Sequence, residues 1–277
     1  MEKVHVPSWN IHIAQTEELL ERNGAVARIV RDANAFLFGN VVPDIFVGYM
    51  VPDIEHPIPY RITHFATPEP IPKPREREFW DAYVAPQAEK FAAEGALVTA
   101  QPVVEPDSVT PVIATPSGGP SVPGEAAPRA VTPVTTGDVP LERSRFDLTL
   151  GAWAHLLADN LWNTRVNEYL DAHGGKPSEE FRIKKQGDFD AFGRTLRITS
   201  VPRETETLVR AAEAFPQYPI GRRYVHDSIT VIHEIVRTNG GTAEHLPYRL
   251  LTDAFFSSTF AEVIETTERA LEQRLGL

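Results

Sequence analysis

Apolar residues along this chain recur at helical spacing almost throughout. Between residues 8 and 22, Ile11, Ala14, Leu19 and Leu20 mark an inner face with His12 beside it. Ser8 stands as the N-cap and Asn23-Gly24 as the stop. A second helix is predicted over residues 25–37. It ends in GNVVPDIF, where Gly39-Asn40 and Pro43 punctuate the chain and deliver Asp44 just past the break. Residues 46–74 hold too many prolines and glycines for a regular element, yet are rich in Ile, Val, Tyr and Phe. They read as an ordered loop packed on the helices and carrying His56 and His64. Residues 75–95 return to helical spacing through Phe79, Trp80, Tyr83, Phe91 and Ala92, with Pro86 as a kink or a restart.

The second half begins with a long central helix over residues 146–173, closed by Gly174-Gly175. Further helices are expected over 178–196, 203–215, 222–238 and 248–275, the last broken near Phe255. RTLRITSV (194–201) is the single strand candidate, and a short one. Between the halves, residues 97–144 shift to Pro, Val, Thr, Ser and Gly around PSGGPSVPGEAAPRAVTPVTTGDVP. So few large apolar residues cannot offset the entropy of ordering, so this reads as a disordered or polyproline-like insertion, suited to tether a protein partner. The expectation is an all-α fold: a single helical domain, residues 1–277, interrupted by that insertion.

Composition narrows the chemistry. The 277 residues are 42% hydrophobic, enough for a sizeable core, and contain nine histidines and no cysteine. Disulfides and thiolate metal sites are excluded, so a transition metal would rest on histidine and carboxylate. A net charge of −11 argues against nucleic acid and anionic membranes as partners, since both demand excess Lys and Arg. MEKVHVPSWNIHIAQ carries no secretory pattern and no stretch approaches a membrane span, so the expected location is cytoplasmic.

LGAWAHLLADNLW (150–162) carries the strongest chemical signal. Leu150, Trp153, Ala154, Leu157 and Leu161 form the core stripe, whereas His155 and Asp159 share a neighbouring face with Trp162. Residues four apart on a helix stand roughly 5–6 Å apart at Cβ, so one metal ion is within reach of both, as is a plain hydrogen-bonded pair. Trp153 and Trp162 read as core residues more readily than as substrate platforms.

Taken with IHIA (11–14), FLFGNVVPDI (36–45) and THF (63–65), in that order, this stretch resembles the zinc-dependent phospholipase C family. Its bacterial members share an all-helical fold with single-strand-specific zinc nucleases. The resemblance spans about residues 7–165 and leaves out the insertion and the C-terminal 100 residues. It implies a zinc site of one or two ions, or another divalent metal, that cleaves phosphodiesters with metal-activated water. By resemblance, Asp44, His64, His155 and Asp159 form the principal site, and Asp159 bridges to a second metal held partly by His12. Asp44 is either a ligand or the base that orients the water. The implied substrate is a small phosphate ester; the rival reading is a non-catalytic scaffold that keeps at most a structural metal.

The chain departs from that family in three places. Family members use a mature N-terminal amine as a ligand, whereas His12 follows MEKVHVPSWN. They carry a further histidine six residues after the bridging aspartate, where this chain has Arg165. Their later His-x-x-x-Glu pair is missing, because Thr230 follows His226 and Arg237 follows His233 at that spacing. Asp188, Asp190 or His226 could substitute as ligands; His226 and His233, two turns apart, are too distant to share an ion. Arg165 either holds a substrate phosphate or pairs with Glu168 on the helix surface, the second being slightly favoured.

Overall fold

In a computed structural model, residues 9–67, 69–93, 132–133, 138–239 and 247–277 are described. The Ser8 cap and most of the 97–144 insertion lie outside them. The described residues are almost wholly helical, in line with the all-α expectation.

Everything packs around α8, Leu141–His173. Residues 146–159, FDLTLGAWAHLLAD, are buried on every face, so this helix has no solvent side in its middle. Pro140 precedes it, and helix begins at Leu141 where 146 was expected. The early turn was hard to read because its inward residues are polar: Arg143, Ser144 and Asp147 are all buried. Gly174, at φ 68°, closes the helix in the left-handed conformation its position suggested.

Against α8 lies α3, Ala33–Gly39, and two glycines set how closely. A Cβ on Gly151 would sit 2.2 Å from the Phe36 carbonyl oxygen, and one on Gly39 would sit 2.1 Å from that of Leu148. Backbone therefore meets backbone at this crossing, which brings the chain after Gly39 against the His155 turn.

The expected helix over 25–37 is two helices, α2 (Ala25–Ile29) and α3. Asp147 Oδ2 accepts the N–H groups of Arg31 and Asp32 at 3.0 and 2.7 Å, and Asp32 caps α3 by accepting from Ala35 N at 3.0 Å. These buried carboxylates stabilise the break by taking donors that a continuous helix would have used itself. Before it, α1 spans Trp9–Glu21. After it, Asp44 falls inside one helical turn, α4 (Val42–Ile45), and the ordered 46–74 segment contains a second such turn, α5 (Tyr60–Thr63).

Helix continues through Pro86. Between α6 (Glu76–Phe79) and α7 (Ala85–Ala93), residues Trp80–Val84 form a π turn, with Ala85 N–H reaching back to the Trp80 carbonyl. Widening the helix just before proline accommodates a ring that cannot donate.

The C-terminal helices are α9 (Glu179–Thr195), α10 (Glu206–Glu213), α11 (Arg222–Thr238) and α12 (Asp253–Leu275). Ser178 caps α9 and Thr252 caps α12. α12 runs unbroken through Phe255, contrary to expectation. Residues 248–252 stay outside it because the Asp188 carboxylate holds the N–H groups of Arg249, Leu250 and Leu251 at 2.7–2.8 Å. Of the strand candidate, β2 (Ser200–Val201) pairs in parallel with β1 (Thr132–Pro133). Among the described residues no helix is long and apolar enough to cross a membrane.

Candidate metal centre

Four elements carry the five residues expected to meet: His12 on α1, Asp44 on α4, His64 just after α5, and His155 with Asp159 on α8. The fold brings them together, with every side chain at most 1% exposed. His64 Nε2 lies 3.4 Å from Asp44 Oδ1, 3.1 Å from His155 Nε2 and 3.6 Å from Asp159 Oδ2. His155 Nε2 lies 3.9 Å from Asp44 Oδ2 and 3.7 Å from Asp159 Oδ2. Donor atoms bound tetrahedrally at roughly 2.0–2.1 Å stand about 3.3–3.4 Å apart; those of Asp44, His64 and His155, like those of His12, His155 and Asp159, all lie within 4.8 Å of one another, two open triads that share His155. On its other side, Asp159 turns Oδ1 toward His12 Nε2 at 3.3 Å. The carboxylate thus faces two groups of nitrogens at once, as a bridge would.

The direction of each ring follows from its second nitrogen. His155 Nδ1 is 2.7 Å from the Asn40 carbonyl, which can only accept, so the ring donates there and its Nε2 carries a lone pair. Thr63 Oγ1 lies 2.7 Å from His64 Nδ1 and 3.3 Å from the Tyr60 carbonyl, and so fixes the direction of the His64 ring. The two Nε2 atoms face each other at 3.1 Å, a spacing that suits either a hydrogen bond from His64 to His155 or a cation held by both. Among the described residues, neither nitrogen of His12 nor Oδ1 of Asp44 or Asp159 has an aligned hydrogen-bond partner. Buried acceptors without donors are costly unless something binds them, and a divalent metal suits this donor set.

Charge points the same way. Burial pushes the His155 imidazole down to about 3, keeping it a neutral ligand. Burial also opposes ionisation of Asp44 and Asp159, yet the facing imidazoles, His155 foremost, hold both below the ordinary carboxylate range. Two buried carboxylates beside a neutral His155 leave negative charge that a cation would balance.

Four further residues shape the centre and were not expected. Tyr60 donates its hydroxyl to Asp159 Oδ2 at 2.9 Å and stacks on His64, ring centroids 3.7 Å apart. Burial, then the Asp159 charge, raises that phenol well above its usual value, so it stays a donor. Trp9 donates Nε1–H to Asp44 Oδ2 at 3.1 Å, and Asn40 and Thr63 orient the two histidines. Tyr60 stands four residues before His64, a helical spacing that a search for titratable groups alone passes over.

The remaining candidates lie elsewhere. Asp188 is consumed by its three backbone donors and Asp190 accepts from Gln186 at 3.0 Å, so neither joins the cluster. His226 is exposed and bonded to Glu204 at 2.8 Å; His233 and His56 are exposed as well. Arg165 forks onto Glu262 and also meets Glu168, the surface pairing that its spacing from Glu168 suggested. Trp153 donates to Glu76 at 3.0 Å within the core, and Trp162 is enclosed by Phe189, Phe255 and Phe256. Set against protein-family models, curated proteins and solved structures, the chain matches none of them.

Proposed function

We propose that this chain is a zinc-dependent hydrolase of phosphate esters, its principal metal held by Asp44, His64, His155 and Asp159 and a second approached by Asp159 and His12. The observation that carries the metal is the convergence of His64 Nε2 and His155 Nε2, 3.1 Å apart, on the buried carboxylates of Asp44 and Asp159, whose Oδ1 atoms have no aligned hydrogen-bond partner among the described residues. The step from metal to phosphodiester chemistry rests on the ordered motifs that resemble the zinc-dependent phospholipase C family. A bound zinc would supply a Lewis acid for phosphoryl oxygens and an acidified water. The chain's part is to keep the His155 ring neutral by burial, to fix the direction of His155 and His64 through Asn40 and Thr63, and to hold Asp159 between two sets of nitrogens. Tyr60 limits how far the Asp159 carboxylate can turn.

A second reading has one observation in its favour. All five side chains are buried, which also suits a closed metal site that serves stability rather than catalysis. Metal analysis of the purified protein, followed by hydrolysis of bis(p-nitrophenyl) phosphate with and without chelator, separates the two. Stoichiometric zinc and chelator-sensitive turnover are expected. Zinc without turnover on any ester favours the closed site; absence of metal binding overturns both.

A further inference from the structure

We propose that Lys185 on α9 is the residue that holds the substrate's anionic phosphate group, in a cavity beside the Asp159 side of the cluster. This rests on the metal-centre reading and supplies what that reading lacked once Arg165 proved to be paired with Glu262. The cavity, of about 240 Å³, lies between the Pro70-Ile71 segment and the first turns of α9. Ile71 and Phe181 give it an apolar lining and belong to the same buried cluster as Ala158 and Trp162, which flank Asp159 on α8. Asn163 and Asn160 donate to the carbonyls of Pro72 and Pro74 at 2.8 and 2.7 Å, so this segment is bound to the turn of α8 that follows Asp159.

The charge in the cavity is selective. Arg182 and Glu179 also line it, but they pair with each other. Lys185 has no hydrogen bond or ion pair among the described residues. Its ammonium lies over the Phe189 ring at 5.8 Å and near enough to Asp159 for the two charges to interact. Burial lowers that ammonium to about 8, so it remains largely protonated at neutral pH while poorly solvated. A half-buried cation with no ion pair, lining a cavity and sensing the Asp159 carboxylate, whose charge a metal would neutralise, is placed to receive a phosphate oxygen. Lysine acts there as a point charge, which tolerates phosphates of differing substituents.

Phenylphosphonate, which cannot be hydrolysed at its P–C bond, is the probe. Its dissociation constant is measured by titration calorimetry for the native chain, Lys185→Met and Lys185→Arg, each zinc-loaded and chelator-stripped, with metal content and circular dichroism recorded alongside. Lys185→Met is expected to weaken binding at least about tenfold in both forms, with full metal content and native helicity, and Lys185→Arg to stay within about threefold of native. Equal affinity in native and Lys185→Met overturns the proposal, as does failure of the native chain to bind the phosphonate. Lys185-dependent binding by a chain that takes up no zinc would sustain the anion site while overturning the metal reading.

Discussion

Helix α8 buries two aspartates completely, Asp147 near its start and Asp159 near its middle, and treats them in opposite ways. Asp147 meets donors: the backbone N–H groups of Arg31 and Asp32 on one oxygen, and Arg143 Nε at 3.4 Å on the other. Ser144 adds a bond to the neighbouring Asp32 carboxylate at 2.5 Å. Asp159 meets one hydroxyl, from Tyr60, and otherwise faces three imidazoles whose second nitrogens are engaged or orphaned. The first arrangement sets an arginine charge beside the carboxylate and ends a helix, although among the described residues Asp147 Oδ1 and Arg143 Nε form no aligned hydrogen bond. The second lacks positive charge at its centre, and that deficit separates a site from a structural network.

The sharpest test of this contrast removes ligands. His155→Ala and Asp159→Ala should each lower bound zinc from stoichiometric to background in elemental analysis, while Asp147→Asn leaves it unchanged. Full occupancy in both cluster variants would erase the distinction.

Arg143→Met comes next. It strips the cation from Asp147 and should destabilise the fold by about 3–5 kcal/mol in denaturant unfolding, without altering zinc stoichiometry in the folded fraction. A loss under 1 kcal/mol would show that the backbone donors suffice for this carboxylate.

A smaller effect depends on pH. Burial raises Asp147 to about 6, above its unfolded value, so the folded state binds the extra proton and this group's contribution is fully present below about pH 4. That contribution is lost as pH rises through 6. Asp147→Asn, which cannot ionise, should therefore gain on the native chain by roughly 2–3 kcal/mol between pH 4 and 7. A pH-independent difference between the two unfolding curves would refute the raised value.

The smallest expected change is at Arg165. Arg165→Ala removes a partly exposed ion pair and should cost less than about 1 kcal/mol, with zinc content and phosphonate affinity unaltered. A marked loss of phosphonate binding would return Arg165 to the substrate site.

Helices and ligand types were legible in the sequence because both are local. His155 and Asp159 share a helix face by spacing alone, and Gly174 ends α8 where a left-handed residue is needed. The break between α2 and α3 was not legible, because it is held by Asp147, more than a hundred residues away along the chain. Nor was the unbroken course of α12, or the fate of Asp188, which reads like a metal ligand and instead gathers three amides from residues 249–251.

What the sequence by itself determined is the inventory: an all-α chain without thiols, in which any transition metal must lie among His and Asp, and two of those ligands placed one turn apart. What only the tertiary structure decided is how those groups face one another. Gly39 and Gly151 let α3 settle on α8, the Asn40 carbonyl then reaches His155, and the two Nε2 atoms converge; meanwhile Glu262 claims Arg165, and Lys185 lines its cavity without an ion pair among the described residues. Spacing along a chain sets which side chains share a face. Whether a buried acceptor meets a donor, a cation or another acceptor depends on partners from distant segments, and folding alone brings those together.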